Sequence, residues 1–148
     1  MDPTLVMFGQ LFLAALLGTI MGTERSVVAR QQAGMRTYAL VALGSCAFVL
    51  SGMYIDAQHL GIVNFDPARI AASIVQGVGF IGAGLIFMRG DSVHGITTAA
   101  GLWVSASVGV LVAFGMYSVA IFASALTLGV FFFLWFVEQR FKSWHDAD

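Results

Sequence analysis

Gly77, Gly79, Gly82 and Gly84 spell G-x-G-x-x-G-x-G inside the stretch QGVGFIGAGLIF, Gln76 to Phe87. The first three have the spacing of a dinucleotide-binding loop, whose glycines let the backbone approach a pyrophosphate. That chemistry needs a strand before the motif, a helix after it and water around the phosphates. Here the glycines lie in the middle of an apolar run, so the spacing does not denote a nucleotide site. Two readings remain. Glycines let helices pack closely in lipid, where dispersion is a leading cohesive term. Glycines this dense can also break a helix at membrane depth, which bilayers tolerate only where the loosened backbone is buried or lines a wet cavity. A break would offer carbonyl oxygens to a cation or helix N-termini to an anion.

The other residues with reactive or ligating side chains are scattered. The carboxylates nearest the apolar runs are Glu24, Asp56, Asp66, Asp91 and Glu138, and none lies in the middle of a run. Transporters usually carry an ionisable residue there. His59, His94 and His145 fall on different segments, which disfavours a three-histidine metal site. Cys46 is the single cysteine, so no intrachain disulfide or multi-cysteine metal site can form. No nucleophile and base stand at a spacing that would activate one by the other, so an enzyme is not expected.

The elements that must position these residues are membrane spans. Hydrophobic residues make up 59% of the 148 and charged residues only 10%, and the mean hydropathy is +0.88. A soluble domain carries about a quarter charged residues. With no basic stripe to follow phosphates, nucleic acid is not a partner. The expected fold is an all-α polytopic transmembrane bundle of five helices. They run from about Leu5 to Gly22, Tyr38 to Ile55, Ala68 to Met88, Ala99 to Met116 and Ser118 to Val137. Each is about 27–31 Å long at 1.5 Å per residue, close to the hydrocarbon thickness. Residues 1–137 form the transmembrane domain and 138–148 a short cytoplasmic tail. MDPTLVMFGQ has no basic region before its apolar stretch, so the first span is expected to be retained rather than cleaved.

Charge sets the expected direction. The first loop carries Arg25, Arg30 and Arg36, the third Arg89, and the tail Arg140 and Lys142. The second has Asp56 and Asp66 against Arg69. Short basic loops stay in the cytoplasm, so the N-terminus is expected outside and the C-terminus inside. Small residues recur at i, i+4 in the first span (Ala14, Gly18, Gly22) and the fourth (Gly101, Ser105, Gly109, Ala113). On that pattern spans one, three and four form the tight core, while the phenylalanine-rich fifth faces lipid. The short connection near Gly115 makes spans four and five antiparallel neighbours.

Three segments in this order closely resemble the membrane domain of the MgtC/SapB family. They are GTERSVVARQQAGMRTYALVALGSCAFVLS, DPARIAASIVQGVGFIGAGLIF and RGDSVHGITTAAGLWVSASVGV, and the match runs from about Gly18 to Gly115. The resemblance implies a bacterial inner-membrane protein linked to magnesium limitation and, in pathogens, to survival inside host cells. It implies no cofactor beyond magnesium itself. It brings two accounts of action: magnesium transport, and binding and inhibition of the F-type ATP synthase. Longer relatives carry an ACT-like domain after the last span, and the resemblance here covers the membrane domain alone. The partners expected are the bilayer, a second copy in a homo-oligomer (a dimer before larger forms) and a membrane protein such as that synthase.

The family's motif positions and the bare residues then converge on one set of candidates. Glu24 and Arg25 close the first span, and Arg36 and Thr37 open the second. Positive-inside charge and capping would account for them, as would an ion pair latching the two helix ends. Asp66 and Pro67 can cap the third span, and Arg69 is spaced to pair with Asp66. An outer gate is the sharper alternative. Gln76 is expected to face the bundle, since an unpaired amide in hydrocarbon costs several kcal/mol, and Gln10 needs a similar partner. Arg89, Thr97 and Thr98 match the family's third loop. Magnesium is a hard ion that takes oxygen ligands and keeps several waters, which leaves Glu24 and Asp66 as weak metal candidates.

Overall fold

The computed structural model describes residues 2–29, 31–58 and 66–145. Five helices follow one another: α1 (Pro3–Val27), α2 (Met35–Gln58), α3 (Pro67–Leu85), α4 (Ile96–Ala113) and α5 (Tyr117–His145). Each is long and apolar enough to cross a membrane, with the apolar part of α5 running from Tyr117 to Val137. Between α3 and α4 lies a two-stranded antiparallel hairpin, β1 (Phe87–Arg89) and β2 (Ser92–His94), in which Met88 faces Val93.

Local chemistry explains the ends. An Asp-Pro pair opens both α1 and α3. Asp2 accepts from the Thr4 N–H at 3.0 Å, and Asp66 accepts from the N–H groups of Ala68 and Arg69 at 3.0 and 3.2 Å. The prolines sit in the first turn, where a missing N–H costs nothing. Asp66 is therefore a cap, and the expected ion pair with Arg69 does not form. Helix α4 ends in a Schellman turn: Gly115, at φ 74°, donates to Val112, and Met116 donates to Leu111. That turn joins α4 to α5 within three residues, as the sequence required. The third span was expected to reach Met88. Instead Ile86 leaves the helix at φ −88° and ψ 119°, and the chain pairs with itself across Gly90.

The expected core of spans one, three and four is corrected. The tight core is α1, α2 and α4, with α5 laid against α1 and α4 and α3 held chiefly by α4. Half of the apolar window of α4 is buried, 50%, against 11% for α3. The small-residue stripes are real, but they receive α2 rather than each other. A Cβ on Gly18 or Gly22 of α1 would stand 2.6 Å from the backbone of Tyr38 or Met35, and one on Gly109 of α4 would strike the carbonyl of Ala42. Sequence spacing finds a stripe but not the helix that fills it.

The glycines of α3 behave differently. Helix α3 runs unbroken from Pro67 to Leu85, so the unwound segment does not occur. A Cβ on Gly77, Gly79 or Gly84 would meet nothing within 4 Å, and one on Gly82 only Ala99, at 3.4 Å. Close packing accounts for none of the first three. Gln76 is also corrected: it is exposed on α3 and makes no hydrogen bond among the described residues. Gln10 does face inward, donating to the carbonyls of Val112 and Ala113 at 3.0 Å each. Its amide thus satisfies the Ala113 carbonyl, which the end of α4 leaves without an intrahelical donor, and adds a second donor to that of Val112.

Candidate functional site at the basic end of the bundle

Five alternating crossings bring the end of α1, the start of α2, the hairpin, the start of α4 and the end of α5 to one end of the bundle. Arg25, Arg36, Arg89 and Arg140 all lie there, and Arg69 lies at the other. Glu24 and Arg25 sit in the last turn of α1 and are only 1% and 6% exposed. The Nε of Arg25 donates to Oε2 of Glu24. Its guanidinium carbon lies 4.2 Å from the centre of the Phe131 ring of α5, a cation–π contact. The cation is held between a carboxylate and an aromatic face. This ties α1 to α5 in surroundings where either charge alone would be costly. The second carboxylate oxygen, Oε1 of Glu24, is buried without a hydrogen-bond partner among the described residues.

Beside the pair, Tyr38 of α2 is fully buried. Its hydroxyl donates to the carbonyl of Thr98 at 3.2 Å, and its own carbonyl accepts from the Ser105 hydroxyl at 2.8 Å. Both bonds cross to α4. Gly101 provides the space for the ring, since a Cβ there would collide with the Tyr38 hydroxyl and lie 2.7 Å from Phe131. The phenylalanine-rich fifth span was expected to face lipid, yet Phe131 is buried here. The missed signal was a glycine and a serine one turn apart on α4, which leave room for a large side chain from a neighbouring helix.

The candidates separate into groups. Glu24 and Arg25 pair at the buried end, and the Thr98 carbonyl is bonded by Tyr38 beside them. Arg36 is exposed and takes no part in the ion pair, so the latch between α1 and α2 is not a salt bridge. That turn is closed by the Ser26 hydroxyl accepting from the Met35 N–H at 2.9 Å, and by the Gln31 N–H donating to Arg25 at 2.7 Å. Arg89 and Thr97 are exposed at the hairpin and the start of α4. Asp66 and Arg69 stand at the opposite end, a full span from Glu24. The two metal candidates therefore cannot share an ion, and among the described residues no group of three or more metal-ligating side chains occurs. His59 lies outside the described residues.

Arg36 and Thr37 instead stand at the mouth of a cleft between α2 and α3. Its volume is about 1350 Å³, with Arg69 at the far end and Gly44, Ser45 and Gly77 on its walls. Helix α2 touches α3 far less than it touches α1 or α4.

Residues 11–140 match the profile of the MgtC family. The chain belongs to the MgtC family. It is 43% identical over 121 residues to the Escherichia coli (strain K12) protein named "Putative magnesium transporter YhiD", covering 80% of this chain and 56% of that one. It is 43% identical over 131 residues to the MgtC protein of Salmonella typhimurium (strain LT2), covering 86% and 53%. To MgtC of Brucella abortus (strain 2308) the identity is 44% over 117 residues, covering 79% and 46%. This MgtC-family chain spans about half the length of the curated relatives it matches. No solved structure matches it. Family and fold together make it a multi-pass bacterial membrane protein.

Proposed function

We propose that this MgtC-family protein is a non-enzymatic membrane regulator in a magnesium-linked response, acting by lateral contact with another membrane protein. The observation that carries this reading is the outer face of α3. Gln76 stands there in mid-span with the N–H and C=O of its amide unpartnered among the described residues, beside Gly79, where a Cβ would meet nothing. An amide left in hydrocarbon costs several kcal/mol, and hydrogen bonds from a second membrane helix remove that cost. Polar groups elsewhere in the bundle are used to brace it: Gln10 on α4, Arg25 on α5, Tyr38 and Ser105 between α2 and α4. The link to magnesium rests on the name of the YhiD relative. The F-type ATP synthase is the partner to test first, within a homo-oligomer oriented with its basic end in the cytoplasm.

A photo-crosslinking residue at position 76 tests the reading in cells limited for magnesium. The expected product is an adduct with one heterologous membrane protein, lost when Gly79→Leu blocks close approach. An adduct with lipid alone, or with a second copy alone, defeats it.

The YhiD name also favours a second reading, magnesium transport. Since α3 is continuous, its path would run along the open glycine face between copies. Magnesium uptake by liposomes containing only this chain, abolished by Gln76→Leu, would establish transport over regulation.

A further inference from the structure

We propose that the cleft between α2 and α3 binds one anionic glycerophospholipid, with its phosphate at Arg36 and its acyl chains along the cleft. The shape of the cleft is set by missing side chains. Gly44 on α2 and Gly77 on α3 both line it, and a Cβ on either would meet nothing within 4 Å. Each lies about 13 Å from the basic end of its helix at 1.5 Å per residue, so the two stand at one depth. The middle wall is apolar, with Leu40, Phe48, Ile74 and Ile81 contributing. A groove of this kind, open sideways in a bilayer, takes hydrocarbon chains rather than water.

The polar groups lie at the ends, and the two ends differ. At the basic end Arg36 makes no ion pair among the described residues, and the Thr37 hydroxyl makes no hydrogen bond. The N–H groups of both residues open α2 without a backbone acceptor there. A guanidinium, a hydroxyl and two helix-terminal N–H groups together suit a phosphate monoanion, and basic pockets between spans are a known setting for anionic head groups. At the far end Arg69 also lines the cleft, but the N–H groups opening α3 are already taken by the Asp66 carboxylate. That carboxylate repels a phosphate, so the head group belongs at Arg36.

Native mass spectrometry of the purified full chain, titrated with phosphatidylglycerol or phosphatidylcholine of the same acyl chains, tests this. The expected result is one tightly held phosphatidylglycerol per protomer, in preference to phosphatidylcholine. Arg36→Gln should weaken it about tenfold, the loss of a charged hydrogen bond, while Arg69→Gln leaves it unchanged. Gly77→Leu and Gly44→Leu, which the cleft has room for, should each abolish it. If one glycine variant does not accumulate, the other and Arg36→Gln make the same comparison. Equal retention of the two lipids overturns the proposal, as does unchanged retention by Arg36→Gln and the surviving glycine variant. It also fails if a glycine variant splits an oligomer while lipid retention stays the same, because a second copy then fills the cleft.

Discussion

Glu24 and Arg25 show how much a buried charge depends on its neighbour. Both are nearly inaccessible, and each has the other as its ionic partner. Removing one member leaves an uncompensated charge, whereas removing both leaves none. Glu24→Ala is therefore expected to lower unfolding stability by about 3 kcal/mol, read as a fall in melting temperature in detergent. Glu24→Met combined with Arg25→Met should cost less than the two single changes summed, which a double-mutant cycle measures directly. A Glu24→Ala protein that melts with the wild type would show that the pair braces nothing. Phe131→Leu removes only the aromatic face over the guanidinium and should cost about 1 kcal/mol. The sequence offered Glu24 and Arg25 as candidates for an ion pair, and a carboxylate among arginines does nothing for topology. It could not mark Phe131, one phenylalanine in a run of them, because its role depends on which helix α5 lies against.

At the scale of elements, one substitution separates the two kinds of glycine. Gly109→Val forces a side chain against the Ala42 carbonyl and should destabilise the bundle by about 3 kcal/mol or prevent accumulation. Gly79→Val on α3 meets nothing and should change stability by less than about 0.5 kcal/mol. Yield and melting temperature of the two proteins, measured side by side, decide the matter. Equal effects would mean that the stripes on α1 and α4 do not receive α2. Gly82, the one buried glycine of the four, faces Ala99 of α4, with a Cβ there 3.4 Å from it, so Gly82→Leu should lower yield and melting temperature where Gly79→Val does not. The five helices were legible because stretches of 18 or more predominantly apolar residues allow few other structures. The cap at Asp66 was equally open, being local, and the same Asp-Pro pair at Asp2 carried the same signal but was not read as a cap. The hairpin was not legible, because three-residue strands are too short to show a period and Phe87–Met88 continues the apolar run of α3. The pairing of helices was not legible either, since a small-residue stripe says that a neighbour comes close without saying which. The placement of Gln76 failed for a related reason. The cost of an unpaired amide is real, but its partner need not lie in the same chain.

For the whole molecule, the distribution of charge argues one orientation. Arg36, Arg89 and Arg140 stand with Arg25 at one end, and Arg69 stands alone at the other near Asp56 and Asp66. Arginines in short loops are retained in the cytoplasm, and carboxylates contribute little to that bias. The hairpin is a short loop carrying Arg89, and its turn at Gly90 and Asp91 is exposed, so a probe there reads the basic end directly. In a Cys46→Ala background, Asp91→Cys should resist a membrane-impermeant thiol reagent in intact cells and react after permeabilisation. Asp2→Cys, at the start of α1, should react in both. Cys46 must be replaced because it is the single native thiol, although its burial in α2 already shields it. Reaction of Asp91→Cys from outside would invert the molecule. The α2 end of the cleft, with Arg36, would then face the outer leaflet, and a regulator meeting its partner from the cytoplasmic side would lose its basic surface.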